Sequence, residues 1–530
     1  MALPGYEPFN LYYGDLHSHC DIGYGHGSIE EAYHNARLQL DFACVTAHAW
    51  WADMPEAEPR LAPTVEYHRR GFDRAAEAWA HLVEVVTAAH APGRFVSFPG
   101  FEWHSMAYGD HHVVYAAPDD GVPRAAGIIR AADLDEMRRA LRGLALQGAP
   151  ALLIPHHIGY RRGYRGINWD AFTPEFSPVV EIMSMHGCSE SDEAPYPMLH
   201  TMGPRDGAST YYHGLRRGHI VGAIGSTDHH SAYPGSYGHG RLAVWGDALS
   251  RAGILRALRG RRCYALTGDR IALEFGVNGA TMGAVVPPAA ERRIAVAVRG
   301  GAVLDAVEVL QNGCVIHRWT PPVLSPAPGP EAPVKVCLEV GWGSKGEEVD
   351  WDVALTVEGG RLIGVEPRFR GPDVVAPRSD HQPASRPDDW TRTGENGVSF
   401  TTRTWGNPAT TTPGTQAMCL EIAGDPSARL AVTLNGQLVT VTLGQLREEA
   451  HAGYLGGFLT PAYRFHRAVP ASGYTCQFEL TDRAHSPDRA LQAGTFDWYT
   501  VRVRQANDQW AWSSPIWVET NASEIPTCCQ

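Results

Sequence analysis

In the segment GDLHSHC, His17 and His19 stand two residues apart. On an extended backbone that spacing turns both imidazoles to one side, where they can reach one metal ion. The segment IGSTDHH repeats the arrangement with Asp228 and His230. Between these ends, FACVTAH closes on His48, FPGFEWH carries Glu102, DHHVVYA offers His111 and His112, and LLIPHHIG offers His156 and His157. A carboxylate at the end of an apolar run is costly to bury unless it is paired or holds a cation. Each motif alone has an ordinary structural explanation. As a set of imidazoles and carboxylates they suit Zn, Mn or Fe better than Ca or Mg. Two or three such ions can activate a bridging water at neutral pH, so the expected chemistry is hydrolysis.

Such a set works only if the fold brings its members together. The first half alternates short apolar runs with helical stretches, an α/β pattern. Seven candidate strands are LYYGDLHSH, FACVTAH, FVSFPGFEW, HHVVYAA, ALLIPHH, VVEIMSM and IVGAIGSTDHH. Ser28 and Glu31 form a capping-box pattern that starts a helix running to about Leu40. Further helices are expected in ADLDEMRRALRGLALQG, around TYYHGLRRGH and in DALSRAGILRALRGRRC. In six of the seven strands a His, Asp or Glu falls at or near the C-terminal end, the rim where parallel α/β folds assemble active sites. HHVVYAA leads with its histidines instead, and reads as running the other way.

Past residue 270 the texture changes to alternating polar and apolar residues, with Asn-Gly hairpin signals in LQNGCV and TLNGQL. Residues 1–268 are therefore expected to form an α/β metal-dependent unit and 269–525 a β-sandwich region, with long loops at 320–333 and 371–389. Of 25 histidines, 20 precede residue 268, which puts the chemistry in the first half. The net charge of −13 argues against broad nucleic-acid binding. No signal segment or bilayer-length apolar run is visible, so a cytoplasmic protein without a membrane partner is expected. The ten cysteines form no C-x-x-C pair and read as reduced, mostly buried thiols.

The order GDLHSH, strand-end TxH, strand-end Glu, HxxV, paired-His strand and DxH resembles the PHP (polymerase and histidinol phosphatase) domain. EIMSMHGCSE, TDHHSAYPG, RLAVW, RRCYALTGDRIALEF and the late phrase YTVRVRQ…WAWSSPIWV are similar to a larger, poorly characterised PHP-like group with a β-rich C-terminal extension. The resemblance implies a distorted seven-stranded (β/α)7 barrel over about residues 11–268, and a site for up to three divalent transition metals. It implies His17, His19, Glu102 and Asp228 at the first metal, with Glu102 bridging to the second. His111 and one of His156 or His157 would complete the second, with His112 as the alternative to His111. His48 and His230 would hold the third with His26, or with His34 in its place. Two positions depart from the usual pattern: Ala47 stands where an aspartate is usual, and Cys20 where a threonine is usual.

The resemblance also makes phosphate-ester hydrolysis the leading reaction, with Glu102 and Asp228 central to catalysis and a small organic phosphate as substrate. Arg161, Arg162 and Arg165 follow the His156–His157 strand and could face a phosphate, with Arg205 and Arg241 as weaker candidates. His186 could contact the leaving group or orient a neighbour, as could Glu181. Trp50, Trp51, Trp103, Tyr108, Tyr160 and Trp169 could wall an organic pocket or simply pack. Hydrolysis of a carboxylic ester, lactone or amide is the alternative reaction. A non-catalytic, glycan- or ligand-binding protein with a vestigial site is the further one. A homo-oligomer is compatible with all three.

Overall fold

The computed structural model describes residues 3–520, apart from 117, 120, 124, 200–201, 323–331, 373–387, 407–413 and 484–495. The two long loops expected at 320–333 and 371–389 thus lie largely outside the described residues. The chain is a mixed α/β protein rich in strands.

All seven expected strands form. They are β1 (Asn10–Asp15), β2 (Phe42–Trp51), β3 (Val96–His104), β4 (His111–Tyr115), β5 (Ala151–Pro155), β6 (Val179–Ser184) and, after the two-residue β7 (Gly187–Cys188), β8 (Gly222–Gly225). The helices α1 (Ile29–Gln39), α2 (Ala62–Glu77), α3 (Trp79–Ala89), α4 (Leu134–Leu146) and α5 (Tyr211–Arg216) lie between them. The capping box at α1 is complete: Ser28 Oγ accepts from the Glu31 amide at 3.1 Å and Glu31 Oε2 accepts from the Ser28 amide at 2.9 Å. Asp133 caps α4 with its side chain, which accepts from the Glu136 amide.

Hydrogen bonding does not join the seven strands into one barrel. β1, β2 and β3 are parallel neighbours. β4 runs antiparallel to both β3 and β5, as its leading histidines suggest. β6 pairs with β8 on one side and β7 on the other in a separate three-stranded sheet. The other flank of β1 is taken by β9 (Arg241–Gly246), and beyond it by β10 (Cys263–Leu266) after α6 (Arg251–Arg259). RLAVW and CYAL are buried along their whole length, which is why they complete the enclosure that seven strands alone do not. One apolar interior still unites both sheets, drawing Leu16, Phe42, Phe98, Val114, Ile154, Val179, Ile224 and Val244 together.

The large sheet continues through β10 into strand Trp510–Ser513, so the last strands of the chain are hydrogen-bonded to the α/β half. A four-stranded sheet packs against this extension through a shared core that includes Leu273, Val296, Val307 and Val501. A nine-stranded sheet, Val334–Trp342 and Gln416–Leu434 among its strands, has its own core. The two Asn-Gly turns behave as read: Asn312 and Gly313 have φ of 52° and 85°, Asn435 and Gly436 of 47° and 87°, the left-handed pair a tight hairpin needs.

Candidate metal centre

The loops after β1 and β8 are zipped together by backbone. The amide of Asp228 donates to His17 O at 2.8 Å, that of His19 to His229 O at 2.8 Å, and that of His26 to His230 O at 2.8 Å. Asp15, fully buried at the end of β1, accepts from the amides of His17 (3.0 Å) and Gly235 (2.8 Å) and from Thr227. Asp228 has φ of 54°, outside the usual range for a residue with a side chain. Such a backbone costs on the order of 1–3 kcal/mol and persists where surrounding contacts over-determine it, as these do.

Four donor atoms then meet. His17 Nε2 lies 3.4 Å from Glu102 Oε2 and 3.4 Å from Asp228 Oδ1. His19 Nε2 lies 3.3 Å from the same Glu102 oxygen, 3.0 Å from the same Asp228 oxygen and 3.2 Å from His17 Nε2. Donors held at about 2.0–2.1 Å from one tetrahedral ion stand about 3.3 Å apart, and these five separations are of that size. Two imidazole nitrogens so close need a shared proton or a cation between them. The donor set fits a divalent metal.

Glu102 carries the arrangement onward. Its Oε2 also faces His48 Nε2 at 3.4 Å, while its Oε1 faces His156 Nε2 and His104 Nδ1, each at 3.1 Å. Strand register explains this, since Glu102 stands opposite His48 on β2 and opposite His112 on β4. The buried groups whose ligand atoms converge include His17, His112 and His156; His19, His48 and His230; and Glu102, Asp110, His156 and His157.

Neighbouring groups set charge and orientation. His17 Nδ1 lies 2.9 Å from Glu181 Oε2, and both side chains are fully buried. Burial opposes charge on His17, but Asp228 and Glu181 hold its pKa well above the ordinary imidazole value. Burial pushes Glu181 up to about 7. It pushes His156 and His230 down to about 3, assisted by His17 and His19 respectively. Burial would raise Glu102, but His104, His48 and His156 around it hold its carboxyl well below the usual range. Asp228 is likewise held low against its burial, by His17, His186 and His19. Buried Glu102, Asp110 and Asp228, whose carboxyls are all held below the usual range, make an environment that favours bound cations.

The structure places the expected positions unevenly around this cluster. His111 belongs to none of the converging groups: its Nδ1 lies 2.8 Å from Gly109 O and its ring packs against Trp103. His112 points to the site, its Nδ1 3.1 Å from His156 Nδ1. Both His156 and His157 reach it, the latter through Asp110 at 3.4 Å. His26 is buried and tied by its backbone to His230, but is in none of the converging groups. His34 faces Asp388 O at 3.0 Å, away from the cluster. Arg161 is exposed, and Arg162 pairs on the surface with Asp170. Arg165 does enter: its Nε lies 2.6 Å from Asp110 Oδ2, its guanidinium contacts His104 and sits 5.0 Å over the Trp51 ring. His186 reads as an orienting group rather than a substrate contact. Its Nε2 lies 2.9 Å from Asp228 Oδ2 and its Nδ1 3.0 Å from Tyr160 OH. Arg241 is fully buried, donating to the Gly235 and Gly268 carbonyls.

His104, Asp110 and Tyr24 were not read from sequence. His104 lies two residues beyond Glu102 on the same strand, so the spacing rule applied to His17 and His19 would have found it. Asp110 immediately precedes the paired histidines. Tyr24 stacks on His48 at 3.6 Å and carries no sequence signal. Of the aromatics, Trp51 and Tyr160 border the cluster, whereas Trp50, Trp103 and Tyr108 pack behind β3 and Trp169 joins a separate core.

No family profile matches the chain. Uncharacterised proteins of Chlamydia trachomatis, Chlamydia muridarum and Chlamydia pneumoniae are each 32% identical to it over 173 residues, covering 29% of this chain. The chain spans 28% of the length of these relatives. Among solved structures, a two-domain protein of Bacteroides vulgatus containing a predicted PHP-like metal-dependent phosphoesterase is similar at 12% identity and a TM-score of 0.31, over 83% of this chain and 96% of that one. No helix among the described residues is long and apolar enough to cross a membrane.

Proposed function

We propose that the chain is a metal-dependent hydrolase of the PHP kind, acting on a phosphate ester of a small organic molecule. The observation that carries the reading is the convergence of His17, His19 and Glu102, with Asp228 Oδ1 3.4 Å from His17 Nε2 and 3.0 Å from His19 Nε2, and with Glu102 turning its second oxygen toward His156 and His104. Bound divalent metals supply Lewis acidity and a nucleophilic water at neutral pH.

The protein's own groups do the rest. Glu181 holds Nδ1 of His17, so Nε2 is directed into the donor set. His186, itself held by Tyr160, does the same for one oxygen of Asp228. Arg165 supplies a permanent positive charge at the edge of the cluster, suited to the oxygens of a phosphoryl group. Trp51, His68 and Arg165 are partly exposed beside the buried ligands and bound the open side. An aromatic and cationic mouth of this kind favours an organic phosphate over an inorganic anion.

Purified protein supplemented with Mn or Zn is expected to hold more than one transition metal per chain. It is expected to hydrolyse p-nitrophenyl phosphate or bis-p-nitrophenyl phosphate, with loss of activity and metal in His17→Ala and Asp228→Ala. Turnover of carboxyl esters alone would replace the phosphoesterase reading with the alternative hydrolase. Less than one metal per chain would remove both.

A further inference from the structure

A cavity of about 920 Å3 lies away from the metal ligands, between the nine-stranded sheet and the end of the large sheet. Its floor is the outer face of three adjacent strands. In Val334–Trp342 the residues Val334, Val336, Leu338 and Val340 enter the core, so Lys335, Cys337 and Glu339 face the cavity. Strand Gln416–Leu434 likewise turns Ala417 and Cys419 outward, and Pro461–Phe465 turns out Arg464 between buried Tyr463 and Phe465. The opposite wall includes Tyr237, in the loop that follows Asp228 and His230, and residues 506–507 and 509.

The charge balance of the lining is unusual for a chain of net charge −13. Six lining side chains are Lys or Arg and two are Glu. Arg368 is neutralised by Asp269 at 3.0 Å. Two other cations turn to neutral backbone oxygens: Lys335 Nζ donates to Gly300 O at 2.6 Å, and Arg467 Nε to Arg447 O at 2.8 Å. Glu339 stands opposite Arg464 in register, yet its two oxygens are taken by Thr415 at 2.7 Å and His466 at 2.8 Å. Among the described residues, Lys335, Arg464 and Arg467 form no ion pair. Positive charge gathered on a concave wall raises the local anion concentration, and the volume lies within the range of small-molecule sites.

We infer that this cavity is a binding site for a small organic polyanion, phosphorylated or polycarboxylated, separate from the metal centre and held by Lys335 and Arg464. Neither residue contacts the metal ligands, so binding here and catalysis there can be separated experimentally. The probe is 8-hydroxypyrene-1,3,6-trisulfonate, whose sulfonates are poor metal ligands, followed by fluorescence anisotropy with the full-length protein at low and high salt. Saturable binding that weakens with salt is expected. The Lys335→Ala, Arg464→Ala double variant should raise Kd at least about tenfold, and Arg467→Ala should raise it less. His17→Ala should leave Kd within about twofold, and the melting temperature reports whether each variant is folded. Displacement by methylphosphonate or by tricarballylate tells phosphorylated from polycarboxylated ligands. Absence of saturable binding at millimolar probe, unchanged affinity in both lining variants, loss of binding in His17→Ala, or displacement by neither competitor overturns the inference.

Discussion

His17 Nδ1 and Glu181 Oε2 lie 2.9 Å apart with no exposure to solvent, and that contact decides which nitrogen of His17 faces Glu102, Asp228 and His19. A carboxylate behind a ligating imidazole sets its tautomer and raises its basicity.

Glu181→Gln should therefore weaken metal binding by about 10–100-fold while leaving the fold intact. Metal titration against a competing chelator measures this directly. An unchanged affinity would reduce Glu181 to a packing residue.

The adjacent histidines of β4 should separate cleanly. His112→Ala is expected to lower metal content and activity together, since His112 converges with His17 and His156. His111→Ala removes a ring that packs on Trp103 and should cost stability with metal content retained. The reverse pattern would place β4 in the wrong register.

Arg165 and Arg161 stand only four positions apart in sequence, but one is half-buried in an ion pair with buried Asp110 and the other lies on the open surface. Removing Arg165 takes away the guanidinium 2.6 Å from Asp110 and the positive charge beside the cluster, so Arg165→Met should reduce kcat/KM for phosphate esters by about 100-fold or more. Arg161→Ala should stay within about twofold. Equal effects at the two positions would dismiss the role given to Arg165.

Acid should loosen the metal-free fold over a defined range. The unfolded chain protonates its histidines near the ordinary value of about 6.5, whereas burial holds His156 and His230 near 3 in the folded state. Between these values the unfolded state binds more protons, so stability falls as pH falls through the window. Melting temperatures of chelator-treated protein from pH 7 to pH 4 should decline, and less so in His230→Gln. Protons also compete for the ligating nitrogens, so metal should be released across the same range.

Gly100 tests how tightly β2, β3 and β4 pack beneath the site. A Cβ there would lie 2.5 Å from Cys44 Sγ and 2.6 Å from Val113 O. Because one of these atoms is backbone, Gly100→Ala should destabilise by about 1–3 kcal/mol or more, read from denaturant unfolding.

The sequence by itself determined the seven strands of the first half, the direction of β4, the capping box at Ser28 and most of the groups able to hold a metal. Hydrophobic runs, cap residues and H-x-H spacing are local signals, and each survived into the structure because it depends on neighbours within a few residues. Tertiary structure alone decided that His112 rather than His111 faces the cluster, and that His156 and His157 both do. β4 and β5 are buried on both faces, so no polar–apolar alternation marks inside from outside. It also decided that Arg165, not Arg161, turns inward, because a left-handed backbone at Arg165 redirects the loop. It decided, finally, that β9 and β10 complete the enclosure around β1, and that Glu181 reaches His17 across 164 residues of chain.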